Sequence, residues 1–139
     1  MDRCVLLSLL IGDSGYAAAE AWLCSQENRP LWISHWVLLE IAGVIALNQR
    51  RRELSPQEAE AVRQTFTQFR QERLSLIEPR ATDFLQAQEW LRRPDQLPLR
   101  SGDALHLAMA KRHALSLCST ERTPVNAGRD LGVSCVFLG

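Results

Sequence analysis

Apolar residues recur along the chain in two rhythms. Short continuous runs, at Leu31-Trp32-Ile33 closed by Ser34, at 74–77, 115–119 and 134–138, have the length of buried strands. The run at 5–10 suits either a buried strand end or the first turns of a helix; with a strand placed near Val5 the sheet has about five strands. Between the runs lie longer segments of helical period. Residues 15–25 put Ala18, Trp22 and Leu23 on one side, and 36–48 are apolar on most sides, as in a buried helix. Ser55-Pro56-Gln57-Glu58 combines a cap, a proline for the first helical position and a capping box, so a helix is expected to about Gln71 with Val62, Phe66 and Phe69 inward. Thr82 is expected to cap a helix through Leu85 and Trp90, Pro94 and Pro98 to bracket a loop, and Ser101 to open a helix to about His113. A last short helix ends at Gly132. This alternation predicts one domain over 1–139 of the α/β class, with a mainly parallel sheet and helices on both faces.

Composition narrows the function classes. With 139 residues, 46% hydrophobic and 23% charged, the chain can bury a proper core, which excludes disorder as its main state. A formal net charge of +0 leaves no overall field to draw the molecule onto nucleic acid or membrane, although local patches remain open. Lys111 is the single lysine, so nearly every cation is an arginine fork suited to carboxylate and phosphate. Cys4, Cys24, Cys118 and Cys135 form no C-x-x-C and read as reduced, buried small hydrophobes. The N-terminal apolar run is too short to span a membrane and lacks signal-peptide features, so the expected compartment is the cytoplasm.

Four carboxylates stand out. Asp2 directly precedes an apolar run, and Glu40 lies inside VLLEIAGVI. Asp103 falls in the first turn of GDALHLAMA, along its apolar stripe, and Glu121 follows the run at 115–119. A carboxylate among apolar neighbours is costly unless paired or bound to a cation. Several of them on strand ends and adjoining helices suit a hard divalent cation with oxygen ligands. Mg2+ or Mn2+ held this way polarises a phosphodiester and activates a water. Each acid also has a plain alternative: a frayed terminus at Asp2, a solvent-facing helix position at Glu40, a helix-dipole partner at Asp103, a loop acid at Glu121.

At these residues the chain resembles the PIN domain, and within it the VapC-type toxin ribonucleases. The most specific stretch is LRSGDALHLAMAKRHALSLCSTERTPVNAGRDLGV, followed by LWISHWVLLEIAGVIAL with Glu40 and the opening MDRCVLLSLL with Asp2. The resemblance implies a three-layer α/β/α fold, Mg2+- or Mn2+-dependent cleavage of RNA, a homodimer and a cognate antitoxin. It matches Asp2, Glu40 and Asp103 to the family's acidic positions as catalytic and metal-holding residues. Glu121 stands where an aspartate is usual and Ser119 where Thr or Ser is frequent. The chain departs from the pattern in three places. Met1 alone stands where the family has a first strand, so either that strand is clipped or the stated start lies downstream of the true one. Arg3 and Cys4 replace a small hydroxyl residue two positions after the first aspartate, and Glu121 is one methylene longer than Asp. The rival reading is a catalytically silent PIN-like binding and dimerisation module.

Other residues carry weaker readings. Arg100 is a phosphate contact by its nearness to Asp103, with Ser119 beside the substrate. His106, three residues after Asp103, reads as a packed, hydrogen-bonded histidine before a ligand. Ser34 reads as a helix cap and Arg50, Arg51 and Arg52 as a solvated helix end.

Overall fold

The computed structural model describes residues 1–27, 29–93 and 98–139; the expected loop from Pro94 to Pro98 lies largely outside them. In chain order the elements are α1 (Arg3–Ile11), α2 (Tyr16–Cys24), β1 (Leu31–Ser34), α3 (His35–Arg50), α4 (Pro56–Arg73) and β2 (Leu74–Ile77), then α5 (Ala81–Leu91), α6 (Ser101–Arg112), β3 (Leu117–Ser119), α7 (Arg122–Asp130) and β4 (Cys135–Phe137). The α/β class holds. The single sheet of about five strands is corrected: β1 pairs with β2 and β3 with β4, each in parallel, as two separate two-stranded sheets.

The strand expected near Val5 is helix. Asp2 caps it by accepting from the Arg3 N–H, and Gly12, at φ 69°, closes it in the left-handed region with its N–H on Ser8 O. An acidic cap and a glycine stop outweigh the ambiguity of a short leucine-rich run. The capping box at Ser55 and Glu58 forms as the sequence predicts. Thr82 does not cap α5. That helix starts at Ala81, and Asp83 turns back to accept from the Arg80 N–H at 2.8 Å.

Core packing is centred on α6, which is buried continuously from Asp103 to Ala110. On one side Leu107 and Ala108 pack with Trp90, Leu117, Ala127 and Val133. On another, Leu105 and Met109 meet Ile77. A third cluster joins Leu6 to Ile33, Val37, Ile41 and Ile45, fixing α3 against α1 and β1. α7 can pack this closely because residue 128 is glycine. A Cβ there would lie 2.6 Å from Leu107 Cδ2 and closer still to Cys135 Sγ. All four cysteines are free thiols, and Cys24 is exposed, contrary to its expected burial. No single helix among the described residues is long and apolar enough to cross a membrane.

Candidate active site

The C-terminal ends of β1 and β3 and the N-terminus of the chain converge on one place, the usual location for ligand sites in parallel sheets. Ser34 ends β1 and caps α3, accepting from the Val37 N–H at 3.2 Å, as expected. α3 then carries Glu40 inward. Ser119 ends β3, and α6 brings Asp103 and His106 from below.

Asp2 is 3% exposed. Its Oδ1 accepts from the Arg3 N–H at 2.6 Å and its Oδ2 from Ser119 Oγ at 3.0 Å. Cys4 Sγ also approaches Oδ2, at 3.3 Å. Asp2 is therefore held on both oxygens, which removes the alternative of a frayed terminus. Glu40 accepts from Arg3 at 3.0 Å through Oε1 and from His106 Nε2 at 2.8 Å through Oε2. The same His106 nitrogen is 3.6 Å from Asp2 Oδ1. Among the described residues, Asp2, Glu40 and His106 are the set whose ligand atoms all lie within 4.8 Å of one another.

Asp103 is buried at the start of α6, outside that tight set but in the same electrostatic field. Burial, then the charges of Asp2 and Glu121, push its carboxyl above the usual range, against the pull of His106 and Arg100. Gly102 lets this first turn come close to α3. A Cβ at 102 would stand 3.2 Å from Glu40 Oε1 and 3.4 Å from Trp36 Nε1. Glu121 lies at the rim, its N–H on Ser119 Oγ at 3.0 Å and its carboxylate 3.8 Å from Arg100, which is largely exposed.

Two residues carry contacts beyond their expected roles. Ser119, expected beside the substrate, is fully buried and donates to Asp2, so it positions that carboxylate. His106 is packed and hydrogen-bonded, as read, yet belongs to the set that converges on Asp2 and Glu40. With its proton on Nε2 it fixes the Glu40 carboxylate, which can only accept. Sequence reasoning missed Arg3 as a partner of Glu40, because nothing in the spacing links positions 3 and 40. It also missed the buried Trp36 Nε1, which has no hydrogen-bond partner among the described residues. Cys118 offers no nucleophile: burial pushes its thiol up to about 12.

The donor chemistry fits a hard divalent cation. Asp2, Glu40 and His106 bring two carboxylates and an imidazole nitrogen from three separate elements close enough to hold one ion, and the buried Asp103 carboxyl lies in the field of Asp2.

The sequence model of the PIN domain family matches residues 1–122. The chain belongs to the PIN domain family. Two solved structures share the PIN fold seen here. One is a chain of the VapBC2 complex of Rickettsia felis bound to a DNA fragment from its promoter. It has TM-score 0.74 and 16% identity, over 99% of this chain and 96% of that one. The other is Mycobacterium tuberculosis VapC20, a toxin that cleaves the sarcin–ricin loop. It has TM-score 0.67 and 21% identity, over 91% of this chain and 92% of that one. No curated protein sequence matches the chain.

Proposed function

We propose that this PIN domain is a metal-dependent endoribonuclease, the toxin of a VapBC-type pair, with Asp2, Glu40 and Asp103 holding Mg2+ or Mn2+ and Glu121 completing the site. The observation that carries this reading is the convergence of Asp2, Glu40 and His106, from three elements with no sequence proximity, with the buried Asp103 in the same electrostatic field. A core that needed only packing would not place Asp2, Asp103 and His106 inside it together. The fold shared with two VapBC-system proteins supports the same reading.

The divalent cation, when bound, would supply charge for the scissile phosphate and acidify a water. The chain's own residues do the rest. Ser119 and the Arg3 N–H lock the Asp2 carboxylate in one rotamer. His106 holds Glu40 through Oε2. Arg100, mostly exposed on the rim, is placed to meet an RNA phosphate. Glu121 holds that guanidinium near the site until RNA arrives. Leu39 on α3 and Leu85 on α5 are each more than 60% exposed, large apolar side chains of the kind a second copy or an antitoxin would cover.

Arg3 gives this site its own cation. Its guanidinium lies 3.0 Å from Glu40 Oε1, an oxygen that a metal would claim. Arg3→Gln should therefore tighten Mn2+ binding, by about tenfold for the loss of one charge at that range. Calorimetric titration of wild type and variant checks this; equal or weaker binding by the variant contradicts it.

Thermal shift tests the function at the level of binding. Metal binds only the folded site, so Mn2+ at about 100 times its Kd should stabilise by about 2.7 kcal/mol, a Tm rise on the order of 5–10 °C. No shift up to 10 mM, about tenfold beyond the weak end of oxygen-ligand cation sites, would favour the silent binding module.

A further inference from the structure

His106 Nε2 is the point where two carboxylates meet. It lies 2.8 Å from Glu40 Oε2 and 3.6 Å from Asp2 Oδ1. The three side chains come from α6, from α3 and from the cap of α1, and their ligand atoms all fall within 4.8 Å of one another. Around an ion held tetrahedrally at about 2.0–2.1 Å, ligand atoms stand about 3.3 Å apart. The two separations from Nε2 bracket that value.

The outer oxygens of both acids are already taken by the protein. Ser119 Oγ donates to Asp2 Oδ2 at 3.0 Å, and Arg3 donates to Glu40 Oε1 at 3.0 Å. The remaining oxygens are the ones turned to His106: Glu40 Oε2 and Asp2 Oδ1, which also takes the Arg3 N–H at 2.6 Å. Donors behind a ligating carboxylate are what fixes its orientation in metal sites. His106 itself belongs to the continuously buried stretch of α6, with its side chain 5% exposed, so its ring has little freedom left to lose on binding. It also lines a cavity of about 450 Å3 bounded by β1 and residues 114–118, which gives an ion a route to the ring.

We propose that Asp2, Glu40 and His106 form a mixed nitrogen–oxygen site for a transition-metal ion of the zinc class. Imidazole nitrogen suits Zn2+ and its neighbours, whereas Mg2+ takes oxygen ligands and keeps several waters. On binding, the ion replaces the Nε2 proton, which passes to solvent, and the Glu40–His106 hydrogen bond gives way to two bonds onto the same ion. The two charges of the ion are matched by the two carboxylates. The oxygen-only arrangement proposed above uses Asp103 where this one uses His106. Binding needs no cleavage, so the inference stands apart from the ribonuclease reading.

The test is calorimetric titration of the 139-residue chain with Zn2+ and with Mg2+, in a Cys24→Ser background that removes an exposed thiol. One Zn2+ should bind per chain, at least about 100-fold tighter than Mg2+. His106→Gln keeps an N–H for Glu40 but has no imidazole nitrogen, so it should weaken Zn2+ more than about 100-fold and leave Mg2+ within about threefold. Nitrogen-15 spectra of the three histidine rings in the chain with His106 intact need no folded variant. There one equivalent of Zn2+ should move the His106 Nε2 resonance and leave His35 and His113 in place. Zn2+ bound no tighter than Mg2+, a folded His106→Gln chain that binds Zn2+ as tightly as its parent, or an unmoved His106 resonance would each overturn the proposal.

Discussion

Asp103→Asn should lower RNA cleavage by at least about 1,000-fold while leaving the fold intact. Asparagine has the size of aspartate and retains one acceptor, so the packing of α6 is kept. What it removes is a charged oxygen ligand in a buried pocket. Without a cation, that charge is a liability: burial and the nearby Asp2 and Glu121 push the Asp103 carboxyl above its ordinary range. The metal-free variant should consequently be at least as stable as wild type. Single-turnover cleavage of end-labelled RNA, beside a thermal melt of the same preparations, separates the two effects. Cleavage at the wild-type rate by the variant would remove Asp103 from the site. A variant that lost both cleavage and several degrees of Tm would show a structural role instead.

The second large effect concerns stability. Asp83 is 2% exposed and takes a two-pronged contact from Arg112, with Nε at 2.7 Å and a terminal nitrogen at 2.8 Å. It also accepts the Arg80 N–H, while Arg112 reaches on to Glu78 O at 2.9 Å. The cluster pins α5, the end of α6 and the segment after β2 together. Asp83→Ala strips the Arg112 guanidinium of its counter-ion, leaving it only Glu78 O, and leaves a helix-start N–H unpaired, at a cost of about 3 kcal/mol, or roughly 10 °C in Tm. Burial raises the Asp83 carboxyl, but the Arg112 and Arg80 hydrogen bonds and the Arg112 charge outweigh it, so the folded pKa lies below the ordinary value. Its contribution is therefore fully present above the unfolded-state pKa, near 4, and is lost as pH falls through the lower folded value. Urea denaturation of both proteins at pH 7 and near pH 3 checks this: the gap between them should narrow in acid. A gap that is under about 1 kcal/mol at pH 7, or that widens in acid, contradicts the account.

Helices were legible where capping chemistry and period agreed, as at Ser55–Glu58 and Ser34. The run at 5–10 was ambiguous because six residues, all apolar but Ser8, fit both a buried strand and two helical turns. Of the residues that decide it, Asp2 reads in the sequence as a metal ligand or a frayed terminus rather than a cap, and Gly12, the stop, carries no signal of its own there. The five-strand expectation failed between β1 and β3, which do not pair, because the run read as a strand near Val5 is helix α1. Glu40 and Asp103 were visible as acids out of keeping with apolar surroundings. The links between elements were not visible. Arg3 with Glu40, and Ser119 with Asp2, join residues 37 and 117 positions apart. Such contacts depend on how helices and strands are assembled, and local periodicity carries no information about them.

Cleavage of a structured RNA by the purified wild-type protein, in Mg2+ and again with excess chelator, tests the central claim most directly. The account predicts internal cuts in Mg2+, none with chelator, and full recovery when Mg2+ or Mn2+ is restored. Cleavage that persists undiminished in chelator, or no cleavage in either metal by protein that binds them, would contradict it.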